Sequence, residues 1–201
     1  MTKPSLILAS SSPRRREILE AMGLVFTIRT TAVDESPLQD EPAADMVVRL
    51  AAAKAQAIGL EKEQIIIGAD TAVVLGDEIF GKPADGDDAL RMLSRLSGKT
   101  HQVMTGVAVV SVDGLKSALA VTDVRFREIT TDEARCYWQS GEPGDKAGAY
   151  AIQGRGGIFV EAIMGSYTCV VGLPVFETAR LLREAGLETL PAELPTPLSD
   201  E

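Results

Sequence analysis

Apolar and polar positions along the chain follow two rhythms, one helix-like and one strand-like, and the chain switches repeatedly between them. The first apolar run, Leu6-Ile-Leu-Ala9, is short and unbroken, as a strand buried on both faces should be. Ser12, then Pro13, and Gly23 after Met22 are start and stop signals, predicting a helix over 13–22 with Ser12 as N-cap. Val25 to Thr30 predicts a second strand and Ala43 to Ile58 a second helix. Gln64 to Ala69 predicts a short buried strand that delivers Asp70 at its carboxyl end. Ala72 to Leu75 and Glu78 to Phe80 flank Gly76-Asp77, a hairpin signal.

Further along, Ala89, Met92, Leu93 and Leu96 share one helical face over 87–97, and Gly98 closes that segment. His101 to Val112 and Lys116 to Ile129 predict two long strands joined at Asp113-Gly114. Thr130 and Glu133 have capping-box spacing for a helix through Gln139. A Gly-rich loop over 141–157 precedes two expected strands, 158–163 and 167–171, and a last amphipathic helix over 175–185. This order predicts an α/β protein in which helices flank a mixed twisted sheet, with two lobes and a cleft between them. Residues 1–189 are expected to form one catalytic unit, and 190–201, rich in proline and acid, a flexible tail.

Composition narrows the partners. The chain has 201 residues, 45% of them apolar, enough for one compact unit that needs no metal or disulfide staple. Its 20 Lys and Arg stand against 29 Asp and Glu, a formal charge of -9. General adhesion to nucleic acid or to an anionic membrane is therefore disfavoured, and a polyanionic ligand would need a local basic pocket. Cys136 and Cys169 fit neither a zinc motif nor a disulfide framework, so a reducing cytoplasm is the expected compartment. The amino terminus lacks a signal-peptide pattern, and no apolar run approaches the ~20 residues of a membrane span.

Two stretches carry candidate chemistry. Ser10-Ser-Ser-Pro-Arg-Arg-Arg16 puts three cations at the positive end of a helix dipole, which an anion would compensate. Serine hydroxyls, free helix amides and guanidinium forks make a phosphate cradle, although a solvated basic turn with an ordinary serine cap fits the same residues. Ile65-Ile-Ile-Gly-Ala-Asp-Thr71 puts a carboxylate where ligands of open α/β sheets gather, making Asp70 a candidate general base or metal ligand, with a turn cap as the alternative. Asp34, Glu35, Lys54, Lys82 and Lys146 could converge on the same place, and acids with cations suit metal-assisted phosphoryl chemistry. In the Gly-rich loop, Gln153 offers a donor and an acceptor to a base edge. The lone His101 and the absence of GxSxG, GxxxxGK[ST] and GxGxxG patterns count against a serine hydrolase, a P-loop enzyme and dinucleotide binding.

Read together, these motifs resemble the Maf nucleotide pyrophosphatases. The likeness runs from Leu6-Ile-Leu-Ala-Ser-Ser-Ser-Pro-Arg-Arg15 through Gly68-Ala-Asp-Thr71, Gly81-Lys-Pro83 and Asp145-Lys-Ala-Gly-Ala-Tyr-Ala-Ile-Gln-Gly154 to Gly165-Ser-Tyr167 and Val171-Gly-Leu-Pro174. The stretch from Ser97 to Thr105, Tyr137-Trp138, Gly141-Glu-Pro143 and Gln153 look like the branch acting on dTTP and UTP rather than the one preferring 7-methyl-GTP. The resemblance implies an ITPase-like fold and hydrolysis of a nucleoside triphosphate to the monophosphate and pyrophosphate. It implies Asp70 as proton acceptor, Arg14, Thr71 and Gln153 as determinants of substrate choice, and Ser10, Arg15, Glu35, Lys54 and Lys82 in the active site. It further implies a divalent cation (Mg, Mn or Co) as cofactor, which Glu35 and Asp70 are expected to hold, and a homodimer. A non-catalytic nucleotide-binding regulator of septum formation is the alternative from another class. Arg16 receives no role and is expected at the surface.

Overall fold

The computed structural model describes residues 4–190, so the expected tail lies, from residue 191 on, outside the described residues. In chain order the elements are β1 (Ser5–Leu8), α1 (Pro13–Ala21), β2 (Phe26–Ile28), α2 (Ala43–Ala57), β3 (Gln64–Leu75), β4 (Glu78–Phe80) and α3 (Gly86–Leu96). They continue with β5 (Thr100–Ser111), β6 (Gly114–Phe126), α4 (Thr131–Gln139), β7 (Val160–Met164), α5 (Tyr167–Val171) and α6 (Val175–Glu184). Short 3-10 turns at Glu142–Asp145, Ala147–Ala149 and Arg155–Phe159 fill the Gly-rich segment.

One seven-stranded sheet runs through the molecule in the order β2-β1-β3-β5-β6-β7, with β4 paired to β3. It is mixed, as expected: β1 lies parallel to β2 and β3, whereas β3, β5, β6 and β7 run antiparallel in succession. On one side, Leu6, Leu8, Ile65 and Ile67 pack with Leu19, Leu181 and Leu182 of α1 and α6. A second cluster joins Leu93 and Leu96 of α3 to Phe126, Tyr137 and Phe159. No helix among the described residues is long and apolar enough to cross a membrane.

Helix α2 comes unusually close to the sheet. A Cβ at Gly68 of β3 would overlap the Ala51 carbonyl oxygen, and one at Gly106 of β5 would overlap that of Val47. With only hydrogen on those two strand positions, the helix backbone rests directly on the sheet. That contact fixes the height of Lys54, one turn from the end of α2.

Several expectations need correcting. Asp70 does not end a strand: β3 continues to Leu75, because its ladder with β5 pairs without a break from Ile66↔Val110 to Val74↔Gln102. The run over 167–171 is a single helical turn, not a strand; the Ser166 hydroxyl accepts from the Cys169 N–H and caps it, while β7 already occupies the free edge of β6. The strand expected over 158–163 starts only at Val160, after a 3-10 turn. Ser12 stands at the N-cap of α1 but makes no side-chain cap, and its own N–H turns back to the Ser10 hydroxyl at 3.3 Å. By contrast, both halves of the Thr130/Glu133 capping box form.

Candidate active site

A cleft of about 750 Å³ opens over the middle of the sheet. The turn after β1 supplies Ser10 and the first turn of α1 supplies Arg14 and Arg15; α2 supplies Lys54; β3 supplies Asp70 and Thr71; the turn after β4 supplies Lys82; and the Gly-rich segment supplies Asp145, Lys146 and Gln153. Glu35 reaches in from the long connection between β2 and α2. Every residue expected at the site lines this one cleft except Asp34, whose carboxylate instead accepts from the Ser36 N–H at 2.9 Å, so Asp70, Arg14 and Lys82 share a face. Arg16 does not belong to it: its side chain is half exposed and pairs with Glu20 at 3.6 Å, one turn along α1.

At the centre is a Lys54 ammonium between two carboxylates, 2.6 Å from Asp70 Oδ1 and 2.8 Å from Glu35 Oε1. The Lys54 and Asp70 side chains are each only 14% exposed, whereas Glu35 is 59% exposed, so the inner pair is shielded from water and the outer acid is not. A shielded ion pair interacts far more strongly than a surface one, because the local dielectric is lower.

Arg15 forms the next layer. Its Nε donates to the Gly172 carbonyl at 2.9 Å, Nη1 to the Ser10 hydroxyl at 3.2 Å and Nη2 to the Thr71 hydroxyl at 3.3 Å. Burial pushes its pKa down and the nearby Asp70 charge pushes it back, and a guanidinium in this range keeps its proton. Thr71 in turn shares a hydrogen bond of 2.9 Å with Thr105, its register partner on β5, whose hydroxyl donates to the Cys169 carbonyl at 2.8 Å. Because the first turn of α1 carries no acid, the helix dipole and the arginines act with the same sign. On the opposite wall Asp145 pairs with Arg14 at 3.2 Å and also with Lys146, joining the two sides of the cleft.

Phosphate oxygens are the ligands this arrangement suits: several cations and hydroxyls converge beside a shielded carboxylate, with helix amides at one end. The donor set also fits a divalent cation, with a condition. Glu35 and Asp70 are the two acids that meet on the Lys54 ammonium, and among the described residues no group of three or more acidic, His or Cys side chains could cage an ion. Magnesium-type ions are commonly held by one or two carboxylates together with substrate phosphates and water, which is the kind of site these two acids can offer.

Comparison with known proteins decides the family. The family model for Maf-like proteins matches residues 5–185. The chain belongs to the Maf family. Among its Maf relatives, the dTTP/UTP pyrophosphatase of Hahella chejuensis is 51% identical over 187 residues, spanning 91% of this chain and 93% of that protein. The protein of the same name from Anaeromyxobacter dehalogenans is 51% identical over 196 residues, 96% of this chain and 99% of its own. Among solved structures, the Staphylococcus aureus Ham1 protein overlaps 61% of this Maf chain and 71% of its own, with a TM-score of 0.46 and 13% identity.

Within the Maf cleft, sequence reasoning missed three partners. Asp145 holds Arg14, the Gly172 carbonyl anchors Arg15, and Thr105 braces Thr71. Only Thr105 left a signal: a threonine in a Val-rich strand pays a desolvation penalty unless its hydroxyl has a partner.

Proposed function

We propose that this protein hydrolyses dTTP and UTP to the nucleoside monophosphate and pyrophosphate, keeping pyrimidine nucleotide pools clean. The observation that carries the reading is the shielded Asp70 carboxylate within a ring of cations, in a chain about half identical to proteins named for that reaction. Asp70 is the proton acceptor: it takes a proton from the water that attacks the α-phosphorus. Lys54, 2.6 Å away, is its ion-pair partner and the cation nearest to it for an incoming phosphate. Arg14, Arg15, Lys82 and the Ser10 hydroxyl hold the triphosphate and the leaving pyrophosphate, where negative charge gathers in the transition state. Thr71 and Gln153 read the base and sugar side of the nucleotide, since one complementary amide contact is worth about 1–3 kcal/mol of discrimination. Glu35 and Asp70 would hold a divalent cation brought with the substrate, which neutralises phosphate charge and raises the acidity of water. A cytoplasmic setting suits the unpaired Cys136 and Cys169. A homodimer completes the reading, and light scattering tests it.

Pyrophosphate release from dTTP, UTP, CTP, GTP and 7-methyl-GTP, with Mg or Mn and then with chelator, is the deciding experiment. Release from dTTP and UTP with metal is expected. Preference for 7-methyl-GTP would move the chain to the other branch, and no release from any of them would favour a regulator.

A further inference from the structure

Glu142 lies in the turn that follows α4, outside the acid and cations of the cleft. Its Oε1 accepts from the Tyr137 hydroxyl at 2.6 Å and from the Gly156 N–H at 3.0 Å, and its Oε2 accepts from the Arg155 N–H at 3.0 Å. The Tyr137 hydroxyl accepts in turn from the Ala151 N–H at 3.0 Å. The two side chains thus tie down the backbone on both sides of Gln153, at 151 before it and at 155–156 after it. Gly154 and Gly156 make this possible, since a Cβ on Gly154 would overlap the Glu142 carboxylate and one on Gly156 the Tyr137 hydroxyl. Although burial pushes Glu142 up, its bonds from Tyr137 and the two amides hold its pKa below the usual carboxylate range. Burial and the adjacent carboxylate push the Tyr137 phenol well above its ordinary value. At neutral pH the pair is therefore a carboxylate and an intact phenol, with donor and acceptor fixed.

Neither Glu142 nor Tyr137 lines the cleft, whereas Gln153 and Ala151 do. On the reading that Gln153 meets the nucleobase, we infer that Glu142, acting with Tyr137, is a positioning residue that sets the enzyme's choice between bases. An exposed amide on a loop of single turns discriminates only if its backbone is held, because small misplacements erase a directional hydrogen bond. Glu142 supplies that hold with three accepted hydrogen bonds from one side chain.

Glu142→Gln and Tyr137→Phe keep the shape of the site and remove acceptors or the bridging hydroxyl. Steady-state pyrophosphate release from dTTP, UTP and CTP tests them, with the folded fraction followed by circular dichroism. For Glu142→Gln the ratio of kcat/KM for dTTP over CTP should fall about tenfold, mostly through KM, while kcat at saturating dTTP changes less than about threefold. Tyr137→Phe should shift the same ratio by about threefold. A merely structural role would scale kcat down for all nucleotides alike, so an unchanged ratio and KM would overturn the inference. Equilibrium titration with non-hydrolysable dTTP and CTP analogues reads the same selectivity without turnover. It separates loss of this inference from failure of the proposed reaction, which absence of pyrophosphate release by the wild type would signal by itself.

Discussion

The two walls of the cleft are built by different means. Ser10, Arg15, Lys54, Asp70 and Thr71 sit on or beside β1, α1, α2 and β3, whose backbone bonds are made within the sheet and the helices. The wall from Asp145 to Gln153 contains single 3-10 turns with little ladder of its own, and contacts from distant side chains hold its shape. On the proposed reading, acid–base and charge chemistry rests on the first wall, while the group offered to the base rests on the second, adaptable one. A pairing of this kind lets substrate choice change while the reacting geometry stays put.

The largest effect should come from the rigid wall. Asp70→Asn is expected to lower kcat by about 10³-fold, the scale of a general base, while a non-hydrolysable dTTP analogue still binds by calorimetry. Retained turnover would mean that another group takes the proton. Gly106→Ala drives a methyl group into the Val47 carbonyl of α2. Urea unfolding should show a loss of about 3 kcal/mol or failure to fold, as overpacking at rigid backbone implies.

The adaptable wall should be the one that feels acid. His101 is buried beneath it, its Nε2 2.9 Å from the hydroxyl of Tyr150, and burial lowers its pKa from 6.5 to about 4. Between those values the unfolded chain binds a proton that the folded protein refuses, so stability falls as pH drops through that interval. The loss should approach roughly 3 kcal/mol by pH 4, and a His101→Gln variant should unfold with a flatter pH dependence. A slope unchanged in that variant would assign the effect to carboxylates elsewhere. Thr105→Val strips Thr71 and the Cys169 carbonyl of a buried partner, and should cost about 1–2 kcal/mol by chemical denaturation. Asp145→Ala removes an ion pair whose acid is 60% exposed, so stability should change by less than about 0.5 kcal/mol.

The same contrast explains what could be read from the chain alone. Helices with a clear apolar face or paired end signals, such as α3 and α4, came within a residue or two of their observed bounds, because those signals are local. The members of the rigid wall were legible for the same reason: strand, turn and helix place Ser10, Arg15 and Asp70 at short range. Asp70 was nevertheless expected to end a strand, since the ladder that carries β3 past it is made with β5, some thirty-five residues away. The turn over 167–171 was misread because its apolar residues suit either state, and the balance is tipped by the Ser166 cap and by β7, which already occupies the edge of β6. Asp145 and the Glu142–Tyr137 clamp were not legible, because partners like Gly156 and Arg14 are set by the folded chain and leave no periodic trace.

The seating of α2 on bare glycine positions bears on how the protein tolerates change. The spacing between Lys54 and Asp70 is gauged there by main-chain thickness rather than by the bulk of intervening side chains. Swaps among aliphatic residues elsewhere in the interior, which usually let packed layers drift, should therefore leave that distance almost untouched. Substitutions at these two glycines should act on turnover and folding together.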